Sequence, residues 1–157
     1  MIEQGLQQEI NMVMTEARNR RLEFVTVEHL LLALLNMDEV ISFLRGKRVN
    51  IDELRAELDQ YIDSHTPIIS EDAEIDIVPT VGFQRVLQRS VYQAQSAQKN
   101  SVNAMNVFVS IFSEKESHAV YMLKLNNISR LDVMEGISSH LADNPVEETK
   151  KVEGDKQ

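Results

Sequence analysis

Apolar residues recur at three- and four-residue intervals along most of this chain, and that spacing predicts helices. Ile2, Leu6, Ile10, Val13, Met14 and Ala17 lie on one face of a helix over 2–20, and Arg18, Asn19, Arg20 and Arg21 form its solvated, cationic C-terminal end. Phe24 to Leu35 then reads Phe-Val-Thr-Val-Glu-His-Leu-Leu-Leu-Ala-Leu-Leu. Thr26 is placed to cap that helix, and Glu28 falls in the first turn, where the positive end of the helix dipole favours a carboxylate. The remainder is apolar almost all round, so this helix belongs at the centre of a core. Val40, Ile41, Phe43 and Leu44 predict a short helix over 38–46. Asn50-Ile51-Asp52-Glu53 opens another, with Leu54, Leu58, Tyr61 and Ile62 on its inner face.

Residues 64–79 break the period, with two prolines and four acids. They read as an extended acidic connector, and a strand at Ile75 to Val78 would find nothing nearby to pair with. Helical spacing resumes at Thr80, a second N-cap. Phe83, Val86, Leu87, Ser90, Val91, Ala94 and Ala97 take one face, while Arg85 and Arg89 share another, exposed one. Asn103 caps a helix carrying Val107, Phe108, Ile111 and Phe112. A further helix is expected over about 115–125, and Ser129 caps a last one to about 141, stopped by Asn144-Pro145.

The second half repeats the order of the first. An offset of 77 places Leu6 on Phe83, Ala17 on Ala94, Thr26 on Asn103, Leu31 on Phe108, Asn50-Ile51 on Asn127-Ile128 and Leu54 on Leu131, with the register blurred over 40–46. The reading is an all-α, pseudo-two-fold duplication of a four-helix motif. Its domain spans 1–142: repeat one 1–63, acidic connector 64–79, repeat two 80–142. Residues 143–157, rich in Glu and Lys, are expected to be a flexible linker.

Composition narrows the function. A formal net charge of −9 on 157 residues disfavours binding to phosphate backbones and to anionic membranes. The apolar run Leu30 to Leu35 is too short to span a bilayer, and the first residues carry no signal-peptide pattern. With no cysteine there is neither disulfide nor thiol chemistry, which fits a cytoplasmic protein. No nucleic-acid or membrane partner is expected.

Candidate chemistry is sparse. There is no phosphate-binding Gly-rich loop, no Gly-x-Ser-x-Gly and no His-Glu-x-x-His. His29, His65, His118 and His140 lack metal-ligand spacing, and Glu28-His29, being adjacent, project from different sides of their helix. His29 reads as a first-turn residue with a local hydrogen bond. Met14, Met122 and Met134 fit core faces, whereas Met12 and Met105 are less clearly placed. No catalytic residue and no metal site is expected, and a small hydrolase or metal enzyme is the less favoured reading. The Thr80 to Arg89 flank reads, on composition alone, as a solvated helix face.

Thr26 to Leu34, Thr80 to Arg89, Ile111 to Ser117 and Ile128 to Val133 together resemble the N-terminal domain of the Clp AAA+ unfoldases, over nearly all of 1–142. Within that family they are similar to the ClpA-type branch. Relatives of the ClpC and ClpB type carry a second Thr-x-Glu-His-like start, where this chain has Asn103-Ala104-Met105-Asn106. The resemblance implies a docking module with no cofactor of its own, the ATP and magnesium belonging to two absent ATPase modules beyond the linker. It implies the adaptor ClpS and protein substrates as partners, and ClpP through a parent unfoldase, hexameric although the isolated domain is monomeric. It places adaptor contacts at Glu23, Glu28, Thr80, Val81 and Arg85. A freestanding helical adaptor, or an N-domain of another Clp unfoldase, is the alternative.

Overall fold

A computed structural model describes residues 1–74 and 77–143, with side chains to residue 138. The linker expected over 143–157 lies, from residue 144 on, outside the described residues. The first half comprises α1 (Gln4–Asn19), β1 (Phe24–Val25), α2 (Val27–Leu34), α3 (Asp38–Gly46) and α4 (Ile51–His65). The second comprises β2 (Val78–Pro79), α5 (Val81–Ser96), α6 (Ala104–Ile111), α7 (His118–Leu125) and α8 (Arg130–Asp143).

The caps explain why the helices start where they do. Thr26 and Asn103 both close capping boxes, with His29 and Asn106 respectively at the third helical position. Asn50, Thr80 and Ser117 each accept from the backbone N–H three residues on. Ser129 does the same for Asp132, whose carboxylate accepts in return from the Ser129 N–H at 2.9 Å. The helix expected over 115–125 therefore begins later, at His118.

The helix ends carry the duplication in their backbone. Arg21, Arg48, Gln98 and Asn127 all adopt φ near +60°, the left-handed conformation that closes a helix. In each case the next residue's N–H returns to a carbonyl five residues back, as from Leu22 to Ala17 and from Lys99 to Ala94. Arg21 and Gln98 are related by 77, but Arg48 and Asn127 by 79. The α6–α7 connection, Phe112–Ser117, is longer than the α2–α3 connection, Leu35–Met37, and this shifts the register of α7 and α8. The sequence pairing of Asn50-Ile51 with Asn127-Ile128 is thus corrected: Asn50 corresponds to the cap Ser129, and buried Leu54 to buried Val133. Leu131, which the gapless register put in the core, is 63% exposed. Met134 also lies outside the core, because the inner face of α8 belongs to Val133, Gly136 and Ile137.

One core runs through both halves. All of α2 except Leu32 is buried, as is all of α6 within Ala104–Ile111 except Asn106, and the two helices pack on each other. Phe108 at its centre meets Phe43 of α3 edge-on at 6.0 Å and Phe112 at 5.9 Å.

The expectation that the connector has no strand partner is also corrected. β2 pairs in parallel with β1, Phe24 opposite Val78 and Val25 opposite Pro79. Ile2 makes the reciprocal parallel bridge to Val102. At the offset of 77, Ile2 corresponds to Pro79 and Val25 to Val102, so each half lends the segment before its first helix to the segment before the other half's second helix. The hydrogen bonds match: Thr80 N–H donates to Val25 O at 2.9 Å and Glu3 N–H to Val102 O at 2.9 Å. Upstream of β2 the connector is held by Arg21. Its side chain donates to the carbonyls of Ile69, Ser70 and Ala73, while Arg20 pairs with Asp63 of α4. These two arginines are structural ties more than a solvated helix end.

Candidate functional site

The junction of β1, β2 and α5 gathers most of the sequence-predicted docking residues. Glu23 is exposed; its N–H donates to Pro67 O at 2.8 Å and its carbonyl accepts from Val78 N–H at 3.1 Å. Thr80 follows β2 and caps α5, its Oγ1 accepting from Phe83 N–H at 3.2 Å. Val81 is 64% exposed in the first turn of α5, with Val78 also exposed before it and Ile68 exposed opposite Leu22. Arg85 stands one turn beyond Val81.

Arg85 is not a lone cation. Its Nε and a terminal nitrogen donate to the two carboxylate oxygens of Glu114, at 2.9 and 2.7 Å. The Arg85 hydrogen bonds and charge hold the Glu114 carboxyl below the usual carboxylate range. Glu114 lies in the longer α6–α7 connection and crosses α5 at Gly82. A Cβ there would stand 3.1 Å from Glu114 Oε1 and 3.1 Å from Val27 Cγ2, so glycine makes room for this approach. Sequence reading missed Glu114 and Val78; Gly82 in an otherwise regular helix was the available signal of close approach.

Glu28 is placed differently from the other four. It is 6% exposed, and its Oε2 accepts from the Ala119 N–H at 2.9 Å. Ser117 already satisfies Val120, so Glu28 supplies the acceptor for a second unpaired donor of the first turn of α7. The carboxylate also meets the positive end of that helix. Tyr61 of α4 stacks beside this clamp, on His118 at 3.9 Å and on His65 at 4.1 Å. Burial, and then the charge of Glu28, raise the Tyr61 pKa. In the second half the position of Glu28 is taken by Met105, and that of His29 by Asn106. Asn103-Ala104-Met105-Asn106 therefore keeps the cap and loses the clamp.

Glu28→Ala is expected to cost about 2 kcal/mol, since a buried N–H loses a charged acceptor. Thermal unfolding measures the loss, and hydrogen exchange at the Ala119 amide locates it. Glu28→Gln retains an acceptor oxygen and is expected to lose less. An unchanged Ala119 exchange rate in Glu28→Ala would refute the clamp.

Among the described residues no group of three or more His, Asp or Glu side chains is arranged to hold a metal ion. No described helix is long and apolar enough to cross a membrane. The arrangement is a duplicated helical domain whose exposed junction holds a small apolar area beside an ion pair. The profile of the Clp repeat (R) N-terminal domain matches residues 1–126, and the chain belongs to that family. It is 35% identical over 141 residues to a ClpA homolog protein of Fuscovulum blasticum; the match covers 89% of this chain and 18% of that relative. The fold is shared with the Hsp104 N-terminal domain of Candida albicans, at a TM-score of 0.72 and 12% identity over 86% of this chain and 87% of that one. It is shared too with the N-terminal domain of ClpD from Arabidopsis thaliana, at 0.67 and 18% over 90% and 94%.

Proposed function

We propose that this chain is the docking module of a ClpA-type unfoldase and that it binds the adaptor ClpS at the β1–β2–α5 junction. The observation that supports this most is the exposed pair Val78 and Val81, bordered by Glu23 on one side and by the Arg85–Glu114 pair on the other. A small apolar contact gives a partner something to cover, and a rim of both charge signs orients it. Glu28, being buried, acts here as a positioning residue that holds the start of α7. The ATP-driven work, transfer of substrates to ClpP and hexamer formation belong to the longer parent protein in a cytoplasmic setting. Residues 143–157 are its tether, which raises the local concentration of captured substrate.

The test is a calorimetric titration with purified ClpS at low and moderate salt. Saturable one-to-one binding that weakens with salt is expected. Arg85→Ala should weaken it about tenfold, in the range of an interface arginine that carries binding energy, with helix content unchanged. No complex at either salt would overturn the adaptor assignment.

A further inference from the structure

The duplication gives each half a cleft in the same place, between its first, second and fourth helices. The cleft of the first half encloses about 140 Å³ and is lined by Glu16, Arg20, His29, Arg55 and Asp59. The cleft of the second half has Gln93, Asn106, Met134 and Ser138 at the positions of Glu16, His29, Arg55 and Asp59. One fold position is thus ionic in one copy and nearly neutral in the other, where Arg130 is the only charged lining residue among those described.

His29 is the buried member of the ionic cleft, 3% exposed. Its Nδ1 accepts from the Thr26 N–H at 3.0 Å, which leaves Nε2 as the ring's N–H donor. That Nε2 is buried and has no partner among the described residues. The cap does not require it, because Asn106 closes the equivalent box: its amide oxygen accepts from the Asn103 N–H at 3.0 Å, and its own backbone N–H donates to Asn103 Oδ1 at 2.9 Å. An imidazole here therefore carries a buried donor beyond what the local structure uses, at a cost unless an acceptor sits in the cleft.

The charges around it say what kind of acceptor. Arg20 pairs with Asp63, and Arg55 is held by Asp52 and the Leu35 carbonyl, so both guanidinium groups are fixed. Glu16 and Asp59, exposed at the rim, enter no ion pair among the described residues. Val13 and Leu32 add apolar lining beside the buried His29 and the half-buried Arg20 and Arg55. The space equals roughly four or five waters. We propose that this cleft binds a small free α-amino acid. Its carboxylate accepts from His29 Nε2–H beside the two arginines, and its ammonium group meets Glu16 and Asp59. The site is separate from the β1–β2–α5 junction, so its failure would leave the adaptor reading standing.

The experiment is an NMR titration of the isotope-labelled domain with glycine, read at the His29 ring and at the amides of Glu16, Arg20 and Asp59. Saturable shifts at millimolar glycine are expected, with little response to acetate or methylammonium alone. His29→Asn, which copies the second half's cap, should weaken binding about tenfold. Asp59→Asn, an exposed change that leaves the cap intact, should weaken it too. Equal shifts with acetate would overturn the amino-acid assignment. No saturable response to glycine would overturn the site.

Discussion

Replacing Phe108 by alanine is expected to remove about 4 kcal/mol of stability, in the upper range for a large side chain deleted from a core. Phe108 is fully buried, meets two other aromatic rings, and sits on α6, which packs against α2, α3, α5 and α8. A cavity there is walled by several helices at once, so no single segment can collapse into it. The loss is a large part of the few to fifteen or so kcal/mol that hold a typical domain together. Urea unfolding should show a lower midpoint at unchanged slope, in one transition. A loss below about 1.5 kcal/mol, or two separate transitions, would mean that the halves have independent cores. Leu31, the counterpart of Phe108 on α2, is equally buried, and Leu31→Ala should also weaken both halves together.

The second large effect is a loss of stability on mild acidification. Burial, with the Arg20 charge adding to it, lowers the His29 pKa from 6.5 to about 4. The groups facing the ring are Glu16 and Arg20 of α1 and Arg55 and Asp59 of α4. In the unfolded chain the imidazole takes up a proton near pH 6.5, while in the folded chain it resists until about 4. Between those values the unfolded state binds more protons, so stability rises with pH. The contribution is complete above about pH 6.5 and is lost as pH falls towards 4. The full window is worth about 3 kcal/mol, of which about 2 disappears by pH 5, before most carboxylates titrate. The readout is urea stability at pH 7 and pH 5 for the wild-type chain and for His29→Asn. The variant should lack this part of the slope; equal slopes would show that His29 is not held neutral.

Local signals in the sequence carried most of the architecture. The caps Thr26, Asn50, Thr80, Asn103 and Ser129 all start helices, and the 77-residue offset recovers α1, α2, α5 and α6 in register. The offset failed beyond Phe112, because an insertion in a connection leaves no periodic trace in the helices on either side. β2 was misread for a similar reason. Its partner, Phe24–Val25, is two residues long and lies far back in the chain, which is too short for alternation to be visible. At the proposed docking junction, the exposed face of Arg85 was legible from helical spacing, whereas Glu23 and Val81 were singled out only through the family resemblance. The Glu114 partner of Arg85 was not legible, because the pair spans 29 positions and depends on how α6 packs against α5. Glu28 was read correctly as a first-turn carboxylate. The helix end it satisfies, 91 residues later, is set by tertiary packing alone.

The crossed bridges Ile2–Val102 and Val25–Pro79 have the form of an isologous contact, in which residue i of one unit meets j of another and j meets i. If the two halves were separate molecules, the same bonds would join a two-fold dimer by exchange of N-terminal arms. The fold can be seen as such a dimer made permanent by a covalent connection. Neither half alone would supply the arm its own second helix requires, so a single repeat should persist only by pairing with another copy. Once the two are fused, each arm can diverge without breaking a symmetry shared with its twin. One half could therefore keep an ionic cleft and a carboxylate clamp while the other lost both.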